Sequence, residues 1–231
     1  MAAGRLFGLG LGPGDPELVT LKALRLLREA AVVAYPAPAG GESFARGIVA
    51  AWLAPHQREI AIAFPMRPGP PPAAIYDRAA AEIAAELDAG RDVAFLCQGD
   101  PLFYGSFAPV LARLAPRYPA VVVPGVSSLT ACAAAAATPL VQRDACLTVI
   151  PATLPEDELA RRLPADGAAA IVKLGRHAPK VARVLARRGL LDRALYVERA
   201  TQAGERIARF AEIDPAGVPY FAMALIPGDR G

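Results

Sequence analysis

An aspartate set between a glycine and a proline, at the end of an apolar run, is the clearest candidate for chemistry in this chain. The segment reads Cys97-Gln98-Gly99-Asp100-Pro101-Leu102-Phe103-Tyr104-Gly105, and Val93 to Leu96 before it read as a buried strand. Gly99 permits a turn with no Cβ in the way, Asp100 can accept from nearby backbone amides, and Pro101 fixes the next dihedral. Such a transition leaves a carboxylate and bare backbone groups at the carboxyl edge of a sheet, where open α/β sheets bind ligands. Taken alone, Gly-Asp-Pro fits an ordinary turn with a capping aspartate equally well.

Two further loops have the same character. Phe7-Gly8-Leu9-Gly10-Leu11-Gly12-Pro13-Gly14-Asp15-Pro16 follows a short strand, Arg5 to Leu9. It fails the dinucleotide fingerprint G-x-G-x-x-G, because the third glycine position falls on Pro13, Asp15 or Glu17, depending on the starting glycine. The next strand, Ala31 to Tyr35, ends in Tyr-Pro rather than in an acid that would hold a ribose. The P-loop lysine pattern is absent as well. The loop therefore brings backbone close to something other than a pyrophosphate. The third loop is Val123-Pro-Gly-Val-Ser-Ser128, after a β-branched strand and before an alanine-rich helix. Ser127 or Ser128 can cap that helix, or present a hydroxyl and a helix amino end to a ligand carboxylate or ribose. Three such strand ends in one half of a chain favour the ligand reading.

In that order, the loops resemble those of the class III S-adenosylmethionine-dependent methyltransferases, the tetrapyrrole and precorrin methylase family. The resemblance rests on Gly8 to Ala23, Gly99 to Gly105 and Val123 to Ser128, and it covers nearly the whole chain. Further marks are Val33-Ala-Tyr-Pro36, Phe64-Pro-Met66, Lys173-Leu-Gly-Arg-His177, Val197-Glu-Arg-Ala-Thr201 and Tyr220 to Gly228. They point to the corrinoid (vitamin B12) branch. The implied reaction is C-methylation of precorrin-2, or its cobalt form, at C20. Alternatives are another precorrin position, uroporphyrinogen III, or more distantly an RNA or protein acceptor. One departure is Ala137, which stands before Thr138-Pro139-Leu140 where family members commonly carry glycine.

The resemblance implies two α/β domains, 1–138 and 139–231. The first has a mostly parallel sheet and the second a mixed one, with S-adenosylmethionine in the cleft between them. It assigns cofactor contacts to Pro13, Gly99, Asp100, Ser127 and Ser128, then Lys173, Leu174, Ala200, Ala222 and Met223. Asp100 either faces the cofactor's positive charge or holds the amides of its own loop. The substrate's acetates and propionates suit bidentate arginines. Candidates at loop ends are Arg67, Arg143, Arg176 and Arg199, each set against the usual solvated fate of arginine. Tyr104 is a candidate for a hydroxyl near the substrate, against a buried aromatic that anchors the next helix. His177 is a candidate proton acceptor, against a plain helix-start histidine. The tetrapyrrole's own carbon attacks, so no nucleophilic side chain is required, and the sequence offers no Ser/His/Asp or Cys/His constellation.

Composition bounds these readings. Of 231 residues, 54% are hydrophobic, ample for a sizeable core. A net charge of +3 does not call for nucleic acid, and the positive runs, such as Arg187-Arg188, are short. Cys97, Cys132 and Cys146 lack C-x-x-C spacing, and with His56 and His177 they offer no metal site. No signal pattern or long apolar run appears, so a place in the cytoplasm, without a membrane, is the expectation. The resemblance implies a homodimer acting on a small-molecule tetrapyrrole.

The elements that must position the loops follow from periodicity. Helices are predicted over Thr20–Ala30, Phe44–Leu53, Ala73–Ala89, Tyr104–Leu114, Ser128–Ala136, Glu156–Leu163 and Pro179–Arg188. In the third, Ile75, Ala79, Ile83 and Leu87 share a face. Arg67 to Pro72 reads as a loop suited to a flap. In the second half, strands are predicted at Leu147–Pro151, Ala168–Lys173, Ala194–Val197, Arg206–Phe210 and Tyr220–Leu225, the last two pairing antiparallel.

Overall fold

A computed structural model of the chain describes residues 2–65 and 71–228. It divides into two units, Met1–Ser127 and Ser128–Gly231. In the first, β1 (Leu6–Gly10), α1 (Leu21–Glu29), β2 (Val32–Pro38), α2 (Phe44–Ile48), β3 (Arg58–Phe64), α3 (Ala73–Asp88), β4 (Val93–Cys97), α4 (Phe107–Leu114) and β5 (Ala120–Val123) alternate along the chain. The sheet order is β3-β2-β4-β1-β5. All four pairings are parallel. Every residue of β1 and β4 is buried, as expected of strands covered by helices on both faces.

The helices start where the sequence supplies caps. The Thr20 hydroxyl accepts from the Ala23 amide at 3.2 Å. Ser43 accepts from the Arg46 amide and donates to the Pro36 carbonyl, tying α2 to the end of β2. Helix α3 buries Ile75, Ala79, Ile83 and Leu87, the face read from the sequence. The helix expected over 44–53 breaks after Ile48, and Ala50–Trp52 is a 3-10 turn. The β3 strand, absent from the sequence reading, alternates buried and exposed residues at the sheet edge.

The second unit contains α5 (Ser128–Ala135), β6 (Leu147–Pro151), α6 (Glu156–Arg162), β7 (Ala168–Val172), α7 (Ala178–Arg187), β8 (Leu195–Glu198), β9 (Arg206–Arg209) and β10 (Ala222–Ile226). Its sheet order is β6-β7-β10-β8-β9. Leu159 of α6 and Val181, Val184 and Leu185 of α7 pack with Ile150, Ile171, Tyr196 and Ala224 of the sheet in one core. The expected pairing of the last two strands does not occur. β9 folds back on β8 as its neighbour in sequence, and β10 takes the other edge of β8, antiparallel to both β8 and β7. The sheet is mixed all the same, since β6 and β7 are parallel. Among the described residues, no helix is long and apolar enough to cross a membrane.

Candidate functional site

Because β4, β1 and β5 lie side by side and parallel, their carboxyl ends bring the three glycine loops together. The loops are joined by backbone. The Leu11 amide donates to the Cys97 carbonyl, and Gly12 and Gly99 exchange both their bonds, at 3.3 and 2.7 Å. The Gln98 side-chain amide donates to the Pro13 carbonyl at 3.3 Å.

Asp100 fastens the third loop. One carboxylate oxygen accepts from the Leu102 amide at 2.9 Å, and the other accepts from the Gly125 amide at 3.1 Å. The carboxylate therefore holds the amides of the loops, one of the two roles open in the sequence. Gly125 has no room for a side chain: a Cβ there would lie 2.1 Å from the Gly99 carbonyl oxygen and 2.8 Å from Gly10. Gly99 differs. Its φ is +68°, and a Cβ there would enter open space. The loops thus leave bare backbone facing outward beside a tightly packed base. A ligand recognised largely through main-chain groups fits such a surface.

Beyond Asp100 the chain exposes Leu102, Phe103 and Tyr104 in a row. Tyr104 does not begin the next helix, and its burial does not occur. It sits at φ +55°, half-exposed, with its ring edge-on to Phe103 at 4.9 Å. The aromatic that anchors α4 is the fully buried Phe107, packed on Phe95 at 5.3 Å.

The second unit gathers its own group at one sheet edge. The antiparallel register places the end of β7, the start of β10 and the end of β8 together. Lys173 and Leu174 follow β7, Arg199 and Ala200 follow β8, and Ala222 and Met223 begin β10. Lys173, Arg199 and Thr201 all have positive φ, at 58°, 49° and 68°. Non-glycine residues held there store strain, and such strain concentrates at functional sites. His177 ends the 3-10 turn Gly175–His177 before α7. Its pKa is lowered by burial and by Lys180 and Arg176, so the imidazole is neutral near pH 7.

Of the arginine candidates, Arg67 lies outside the described residues. Most described arginines are tied to Asp or Glu, as Arg199 is to Glu198 at 3.7 Å, whereas Arg143 and Arg176 have no ion pair among the described residues. The guanidinium groups of Arg143, Arg176 and Arg199 donate no hydrogen bond among the described residues. Sequence reasoning did not find the partners that order these groups: Gly125 for Asp100, Gln98 for Pro13, and Tyr196 and Glu198 beside Arg199. The first two arise from strand pairing, which no local spacing announces, and the third from alternation along β8.

The arrangement of glycine loops on a parallel sheet is matched among known proteins. The profile described as Tetrapyrrole (Corrin/Porphyrin) Methylases covers residues 5–214. The chain belongs to this family. One tetrapyrrole methylase relative is the cobalamin biosynthesis protein CobIJ of Mycobacterium bovis, 50% identical over 99% of this chain and 47% of that protein. The chain thus spans about half the length of that relative. Another is a precorrin-2 C(20)-methyltransferase of a Sinorhizobium species, 44% identical over 99% of this chain and 97% of the relative. Among solved structures, the uroporphyrin-III C-methyltransferase of Thermus thermophilus in complex with S-adenosylhomocysteine is 29% identical. It covers 97% of this chain and 92% of its own, with a TM-score of 0.70. The pair of α/β units implied by the three loops is therefore the tetrapyrrole methylase fold.

Proposed function

We propose that this protein transfers a methyl group from S-adenosylmethionine to C20 of precorrin-2, giving precorrin-3A, in cobalamin biosynthesis. The observation that carries this reading is the likeness to the Sinorhizobium precorrin-2 methyltransferase across 99% of the chain.

Bound S-adenosylmethionine supplies an electrophilic methyl on a sulfonium, and the ring carbon of the substrate supplies the electron pair. The protein's task is then position and exclusion of water. Pro13, Gly99, Asp100, Ser127 and Ser128 are the proposed holders of the cofactor in the glycine loops. Asp100 acts through the loops that it ties, since both its oxygens accept backbone amides. Lys173, Leu174, Ala200, Ala222 and Met223 are the proposed contributors from the second unit. Phe103 and Tyr104 give an exposed aromatic surface suited to a flat macrocycle. Arg143, Arg176 and Arg199 have guanidinium forks to offer to acetates and propionates. His177, neutral near pH 7, is the proposed acceptor of the proton lost from the methylated carbon. The working form is taken to be a cytoplasmic homodimer.

The test is turnover without oxygen, with freshly made precorrin-2 and cobalt-precorrin-2 offered separately. Mass spectrometry should show one methyl group added to precorrin-2. Transfer only to uroporphyrinogen III, only to cobalt-precorrin-2, or to none of the three would overturn the proposal.

A further inference from the structure

In the run Val197-Glu-Arg-Ala-Thr201, two neighbours order the side chain of Arg199. Tyr196, 1% exposed, donates its hydroxyl to Oε2 of Glu198 at 2.7 Å. That bond turns the other oxygen, Oε1, toward Arg199, whose Nε lies 3.7 Å away. The Glu198 side chain is 16% exposed and that of Arg199 is 47% exposed.

The backbone of Arg199 is fixed as firmly as its charge. It sits at φ +49°, its amide donates to the Phe221 carbonyl at 2.8 Å, and its carbonyl accepts from Gln202 at 2.9 Å. Its guanidinium lies over Gly204, where a Cβ would come within 3.2 Å of Nη1. Its Nε faces the Glu198 carboxylate at 3.7 Å, an ion pair too long for a hydrogen bond. Among the described residues, this guanidinium donates no hydrogen bond. A planar group oriented by a neighbouring carboxylate, with its fork unspent and in reach of solvent, suits an external carboxylate.

We propose that Tyr196 and Glu198 are positioning residues that hold Arg199 to receive a carboxylate of the tetrapyrrole substrate. Arg199 is the binding group and Glu198 sets its direction. The inference rests on the tetrapyrrole reading above, and it adds the device that selects a polycarboxylated ring.

The experiment compares Arg199→Lys, Glu198→Gln and Tyr196→Phe with the unaltered protein. It reads KM for precorrin-2, kcat, and the affinities for S-adenosylhomocysteine and for uroporphyrin III, a stable polycarboxylate ring, by titration. Arg199→Lys keeps the charge and loses the fork. It should raise the precorrin-2 KM and the uroporphyrin Kd by about tenfold or more, the value of a charge-assisted hydrogen bond. Glu198→Gln should do the same more weakly, and Tyr196→Phe more weakly still. Affinity for S-adenosylhomocysteine should stay within about twofold, a change of under 1 kcal/mol. Unchanged ring affinity in folded Arg199→Lys overturns the inference, as does an equal loss of both ligands, which marks a structural role. An unaltered protein that binds uroporphyrin III but fails to methylate precorrin-2 refutes the proposed reaction, while the titrations still decide the role of Arg199.

Discussion

The carboxylate of Asp100 crosses from the loop after β4 to the backbone amide of Gly125 in the loop after β5, 3.1 Å away. Its other oxygen closes its own turn on Leu102. Two loops that are separate in sequence are thereby held by one side chain. In Asp100→Asn, one acceptor becomes an NH2 group, which faces an amide N–H and cannot accept from it. The loss should be on the order of 1 kcal/mol in stability. It should also weaken S-adenosylhomocysteine binding as the loops part. Calorimetric titration beside a urea melt checks both. Unchanged affinity would separate the clasp from the cofactor.

Gly125 and Gly99 should respond differently to the same small substitution. Gly125→Ala places a methyl on the Gly99 carbonyl and on Gly10, so it should cost about 3 kcal/mol as overpacking. Gly99→Ala meets nothing within 4 Å but carries the φ of +68°, so roughly 1–2 kcal/mol of conformational strain is expected. Because the added methyl points into open space beside the loops, the Gly99 variant should lose cofactor affinity out of proportion to its stability. Denaturant midpoints and titrations on both variants would show whether the order is reversed.

Ala137 explains a departure visible in the sequence. It has φ +46°, in the region that a glycine adopts without strain. A glycine at this position would hold the same backbone conformation without strain. Ala137→Gly should raise stability by up to about 1 kcal/mol, the relieved strain less the added freedom of the unfolded chain. A thermal melt below that of the unaltered protein would contradict this.

Glu59 should govern part of the acid limb of stability. Hydrogen bonds from Arg46 lower its pKa to about 2 against the opposing effect of burial, with help from the Tyr35 hydroxyl at 2.6 Å. A carboxylate with a depressed folded pKa contributes stability that is full above its unfolded value, near 4.5, and is lost as pH falls toward 2. Glu59→Gln should flatten the stability profile across that window and lower stability at neutral pH. A profile parallel to that of the unaltered protein between pH 5 and about 2 would remove Glu59 from the account.

The three thiols should react unequally. Burial pushes Cys97 and Cys132 up to about 12, and Cys146 is exposed. At pH 8 the native protein should release one equivalent with a chromogenic disulfide, and all three only after unfolding.

The strand-end loops were legible because Gly-Asp-Pro and Pro-Gly after β-branched runs have few other physical uses. The four-residue spacing of Ile75 to Leu87 likewise gave α3 directly. The β9–β10 pairing was misread because adjacency in sequence is a local cue, whereas the partner of a strand is chosen by the whole sheet. Tyr104 was misplaced in a helix because a positive φ on a tyrosine has no signature in residue type. The Asp100–Gly125 bond was invisible for a related reason: it exists only once β4 and β5 flank β1.

The central claim is the position of the methyl group on the ring. Incubation without oxygen of the protein, precorrin-2 and S-adenosylmethionine carrying a 13C-methyl should be followed by carbon NMR of the product. One enriched methyl signal, coupled as expected for attachment at C20, is the predicted result. Enrichment at any other ring carbon, or none in the tetrapyrrole while S-adenosylhomocysteine binds, would contradict the account.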